Sequence, residues 1–156
     1  MRKSSMVTGL ILAATLVGVA GVGILAQAPA AGAQGAQGTK KPMTLEEYDT
    51  AMKAVQPVYT SLGRNTMMMN LPAGAMDAEQ LIPIFQNVLI YWESGNPADA
   101  LPFAKGILTA LQDYQKAARA GDQTAANTAR AAITPQCQGC HMLHRERLPD
   151  GSSRMK

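Results

Sequence analysis

The chain has 156 residues and a mass of 16.5 kDa, the size of one domain. Hydrophobic residues make up 47% and charged ones 16%, which excludes a disordered or collagen-like protein, and two cysteines exclude a disulfide-dense scaffold. The net charge of +3 includes Arg2 and Lys3; without them twelve cations face eleven anions, so the pI near 9.0 implies no basic stripe for nucleic acid.

Arg2 and Lys3 precede an apolar run over residues 7–26, followed by Ala/Gly/Gln-rich sequence, and no charge appears between Lys3 and Lys40. That is the layout of a secretory signal: a basic head, an apolar middle, then small residues at a cleavage site. Ala26-Gln27-Ala28 and Ala31-Gly32-Ala33 both satisfy the cleavage rule. The preferred reading is a signal peptide over residues 1–33 and a flexible linker over residues 34–43. An uncleaved membrane anchor is the alternative, because ~20 apolar residues span about 30 Å. Gly9, Gly18, Gly21 and Gly23 dilute the run and argue against it. Either way the remainder is exported, and a soluble periplasmic protein is expected.

Residues 44–148 read as four helices. Thr44 and Glu47 form a capping box, and Leu45, Tyr48, Met52, Val55, Tyr59 and Leu62 recur at spacings of three and four up to about Arg64. Asp77 with Gln80 is expected to open a second helix, with Leu81, Phe85, Val88 and Trp92 as its stripe and Pro83 as a kink. A third helix is expected to start with Asn96 as N-cap and Pro97 in its first position, and to carry Leu101, Ala104, Ile107, Leu108, Leu111 and Tyr114 as far as Gly121. Asp122 caps a fourth, with Ala125, Thr128, Ala132 and Ile133 on its apolar face. Pro135 kinks or restarts that helix, which is expected to continue to Leu148 before Pro149-Asp150-Gly151 and a tail over residues 149–156. No strand-like alternation and no fixed-period repeat is present. Four amphipathic helices joined by short turns predict an all-α, antiparallel four-helix bundle.

Cys137-Gln138-Gly139-Cys140-His141 carries the chemistry. Cys-x-x-Cys-His is the signature of c-type haem attachment. Cysteines three apart share a helix face, so both thiols can reach the vinyl groups of one porphyrin edge, and the adjacent histidine can ligate the iron. Export agrees, because thioether bonds keep a cofactor that would otherwise be lost. A thioredoxin-like pair would need a βαβ context, and a zinc site of Cys137, Cys140, His141 and His144 would crowd its ligands into a turn and a half. One motif implies one covalent haem.

With 15 residues after His141, a sixth ligand is expected upstream. A C-terminal motif on the last helix of a four-helix bundle, with Arg145 four residues beyond His141, resembles the class II cytochromes c: the cytochrome c-prime family and its low-spin relatives. His144 stands where that family usually has an aromatic residue. The resemblance implies haem thioethers at Cys137 and Cys140 and proximal ligation by His141. It also implies periplasmic electron transfer with redox partner proteins or, in five-coordinate members, binding of nitric oxide or carbon monoxide. A homodimer is among its assembly states. Met52, on the first helix's stripe, matches the position of the family's distal methionine, whereas Tyr48 replaces an arginine common there. His144, on the same helix as His141, cannot be trans to it and is expected to face solvent or a propionate. Arg145 is expected beside the haem or as an ordinary solvated helix charge. Met67-Met68-Met69 with Met76 read as loop methionines packed over a bundle end rather than a copper(I) site. Phe85 and Trp92 read as core. No Ser/His/Asp set, phosphate loop or carboxylate pair points to an enzyme.

Overall fold

The structure is a computed structural model and describes residues 41–95 and 97–156. The expected signal, anchor and most of the linker lie outside these residues, as does Asn96.

The first helix, α1, spans Leu45–Met67 and opens as its sequence dictates. The Thr44 hydroxyl accepts from the Glu47 amide at 3.2 Å, and the Glu47 carboxylate accepts from the Thr44 amide at 2.7 Å. The second, α2, spans Leu71–Glu93 and starts earlier than expected. Its cap is Asn70, whose side chain accepts from the Ala73 amide, and Pro72 fits the first turn because that turn's amides have no helical acceptor. Asp77 is therefore not a cap but a buried mid-helix carboxylate, accepting from the Asn65 amide at 2.7 Å and tying α2 to α1.

Pro97 does not open the third α-helix either. A short 3-10 turn, Ala98–Ala100, intervenes, and α3 spans Leu101–Arg119 with Pro102 in its first turn. Gly121, at φ +71°, makes the turn that Asp122 follows, and the Asp122 carboxylate accepts from the Ala125 amide at 2.9 Å to cap α4, Gln123–His144. Pro57, Pro83 and Pro135 all lie inside helices that run through them. The packed face of α4 is Ala126, Ala129 and Ile133; Thr128 and Ala132 are exposed.

Beyond His144 the expected helix does not continue. Arg145 adopts extended backbone, φ −111° and ψ 130°, and β1, Arg145–Arg147, pairs antiparallel with β2, Ser153–Met155. The turn is built by Pro149-Asp150-Gly151: the Gly151 amide donates to the Leu148 carbonyl, and Gly151 takes φ +83°. The Lys156 amide then donates to the His144 carbonyl at 2.9 Å, fastening the hairpin to the end of α4.

Short connections make consecutive helices antiparallel neighbours, giving the expected four-helix bundle. Tyr114, Leu62, Leu81, Leu111, Ile133 and Thr66 are fully buried at its centre. α1–α2, α2–α3 and α3–α4 pack along their lengths, but α1 and α4 meet at few points. Among the described residues no helix is long and apolar enough to cross a membrane. Met67, Met68, Met69 and Met76 do not pack over the bundle end; all are 65–73% exposed.

Candidate functional site

Where α1 and α4 stay apart, a cavity of about 600 Å³ opens into the bundle. The α1 stripe shows it from the other side. Tyr48 and Leu62 are buried, yet Met52, Val55 and Tyr59 between them are only half-buried because they face the cavity. Phe85, Val88 and Trp92 of α2 and Ala104 and Ile107 of α3 complete an apolar interior. At its edge the Tyr59 hydroxyl and the Thr134 hydroxyl, 2.8 Å apart, link α1 to α4.

The α4 wall carries Cys137, Cys140, His141 and His144. The thiols are free and half-buried. Burial raises both, Cys140 to about 11 with help from the neighbouring Cys137 and Asp99, so both are protonated at neutral pH. His141 is exposed on the cavity wall, and partial burial together with the Arg145 charge lowers its pKa. Its imidazole is thus held neutral, the form that ligates a metal. Met52 lines the same cavity from α1. All four residues picked out by sequence for a haem therefore share one cavity, supplied by two helices distant in sequence.

Gly139 explains how the motif's turn is seated. A Cβ there would collide with the Phe103 ring, so only glycine lets α3 approach the turn that displays the two thiols. Among the described residues no three His, Cys, Asp or Glu side chains gather as a metal-holding group, and the zinc arrangement is not assembled.

His144 is not solvent-facing. It is 7% exposed, its ring centroid lies 5.4 Å from that of Trp92, and its Nε2 stands 3.4 Å from an Asp99 carboxylate oxygen without completing a hydrogen bond. It closes an aromatic group of Tyr48, Tyr91 and Trp92 with centroids 4.7–5.5 Å apart. Burial, reinforced by the nearby Cys140 thiol, pushes the Tyr48 phenol well above its ordinary range. Phe85 and Trp92 are core, as expected, but they also form cavity wall.

Sequence reasoning missed the hairpin, which contributes Arg145, Ser153, Arg154 and Met155 to the cavity. Its signal was present as Pro149-Asp150-Gly151, a turn sequence read there only as a helix stop. Arg145 is accordingly not a helix charge but the first strand residue.

No protein-family model, curated protein or solved structure matches the chain.

Proposed function

We propose that the chain is an exported monohaem c-type cytochrome that carries single electrons. The observation that supports this most directly is the convergence of Cys137, Cys140, His141 and Met52 on one apolar cavity. The volume of about 600 Å³ lies within the range of cofactor sites, and the donor set suits a tetrapyrrole: two thiols for its vinyl edge, a neutral imidazole for its iron, and aliphatic and aromatic walls for its faces. When bound, the haem supplies the Fe(III)/Fe(II) couple. Cys137 and Cys140 would hold it through thioethers, and His141, with Met52 on the facing helix, would hold its iron. The apolar walls exclude water and so limit reorganisation around the iron. In this reading the chain belongs with the class II cytochromes c, resides in the periplasm and exchanges electrons with redox partner proteins there, without enzymatic turnover.

Met52 also packs against the hydrophobic core. That favours a second reading, in which its thioether stays in the packing, the sixth position is open, and the cavity binds nitric oxide or carbon monoxide.

One experiment separates the readings: optical spectra of protein produced with c-type maturation machinery, before and after Met52→Leu. The carrier should be low-spin when ferrous and bind carbon monoxide slowly. Met52→Leu conserves volume, costs below ~1.5 kcal/mol, and should give a high-spin haem, a lower potential and fast gas binding. A wild type already high-spin and unaffected by the substitution would establish the gas-binding reading. A polypeptide without pigment after denaturation would refute covalent haem altogether.

A further inference from the structure

The cavity's charges are unevenly committed. Lys53 on α1 is paired with Asp49 at 2.6 Å, and Arg154 on β2 is paired with Glu146 on β1 at 2.9 Å. Arg145 is the remaining cation on the wall, and among the described residues it has no carboxylate partner.

Its place is fixed by the hairpin rather than by α4. The extended backbone at Arg145 turns the chain out of the helix, the pairing of Arg145 with Met155 fixes its register, and Met155 packs against the core. A short segment that could have trailed into solvent is instead folded back along the cavity, so that Ser153 and Arg154 line it beside Arg145. Met52, Val55, Phe85, Val88 and Ile107 make the facing part of the wall apolar, and Lys53 on α1 is already paired.

We infer that the C-terminal hairpin is the carboxylate-binding edge of the cavity, with Arg145 as the cation that receives the propionates of a tetrapyrrole. The inference rests on the haem reading and adds to it the group that selects a dianionic porphyrin over a neutral one. A guanidinium presents parallel N–H donors matched to a carboxylate, and at a cavity mouth such a pair is less screened than on open surface. Arg154 is held in reserve by Glu146, so the hairpin carries one free cation and one neutralised pair.

The test uses the full chain with its thiols reduced, titrated with iron mesoporphyrin and with its dimethyl ester. Mesoporphyrin has ethyl groups in place of vinyls, so no thioether can form and binding stays reversible. Wild type should bind the diacid about tenfold more tightly than the diester, as expected for one charge-assisted contact. Arg145→Gln should remove that preference and leave the diester affinity unchanged, with Arg145→Lys keeping part of it. Glu146→Gln releases Arg154 and should raise diacid affinity alone, an outcome that loss of folding cannot imitate. Equal affinity of wild type for diacid and diester, or a parallel loss of both in Arg145→Gln, would overturn the hairpin's role while leaving the haem reading intact. Binding of neither porphyrin would overturn both.

Discussion

Gly139→Ala perturbs the motif's own turn without touching a thiol or the imidazole. The added methyl would overlap the nearest ring carbon of Phe103 and lie 3.0 and 3.1 Å from the next two. Such contacts cannot stand, so the half-buried Phe103 ring must rotate or α3 must retreat. Inserting a methyl into packed surroundings costs about 1–3 kcal/mol, while replacing a mid-helix glycine by alanine returns ~1 kcal/mol of helix propensity. The variant should therefore be destabilised by roughly 0–2 kcal/mol in urea unfolding of the cofactor-free chain. The sign alone is weak evidence, so the informative quantity is the coupling to Phe103.

Phe103→Leu removes the colliding ring edge. In the double variant the methyl finds space and the propensity gain should reappear, giving a favourable coupling of about 1 kcal/mol or more in a double-mutant cycle. Under the haem proposal the same cycle should appear in the fraction of protein carrying two thioethers, because a displaced turn re-aims Cys137 and Cys140. Stabilisation by Gly139→Ala alone, with no coupling to Phe103→Leu, would show that α3 is not seated against this turn and would refute the reasoning.

Two further outcomes follow from the same packing. Burial raises the thiols of Cys137 and Cys140, the latter to about 11, and also raises Tyr48 and Tyr91. Unfolded thiols lose their protons from ~8.5 upward, so the cofactor-free chain should have its full stability below that pH and lose it progressively toward pH 11. The urea midpoint followed from pH 8 to 10.5 checks this: it should fall, and Cys137→Ala with Cys140→Ala should flatten the early part, whereas a flat wild-type profile would contradict it. At the other end of the bundle, a Cβ on Gly74 would strike the buried Tyr114 hydroxyl, which lies 2.7 Å from the Thr66 hydroxyl. Because Thr66 donates its proton to the Leu62 carbonyl, Tyr114 is the donor in that pair. Gly74→Ala should cost about 1–3 kcal/mol from the broken buried hydrogen bond, and a thermal unfolding curve that does not move would refute the contact.

The helices were legible because their caps and stripes are local. Thr44 with Glu47 and Asp122 with its following turn read correctly, since each cap satisfies donors three residues away. The start of α2 was misread for a tertiary reason: Asp77 looks like a cap, but its carboxylate is consumed by Asn65 of α1, a partner invisible to a local pattern. The end of α4 was misread because residues 141–148 suit a helix, while Pro149-Asp150-Gly151 supplies a turn that brings a pairing strand back against Arg145. The burial of His144 was missed because its ring packs beside Trp92 of α2 and Asp99, tertiary neighbours that a local pattern does not show. Cys137, Cys140, His141 and Met52 were named from sequence spacing and resemblance, and the fold brings all four to one cavity.

That cavity exists because of how side-chain bulk is distributed along the helices. α3 and α4 approach closely through small residues: Gly106 lies against Gln136, Gly139 against Phe103, and Ala110 and Ala129 line the groove between the two helices. Tyr48, Tyr59, Phe85 and Trp92 instead stand around the opening between α1 and α4 and act as spacers. Tyr59 and Thr134 touch across the gap through their hydroxyls, so the two helices are linked at a fixed separation rather than collapsed onto one another. Met52, Val55 and Tyr59 of the α1 stripe are thereby only partly covered by protein, a loss of contact that dispersion and burial both penalise. A flat apolar group entering the gap would restore those contacts without moving a helix. Because it would bind the folded state and not the unfolded chain, its affinity would add directly to the stability of the bundle. The thiols and imidazole on α4 stand where such a group would be held by bonds as well as by packing.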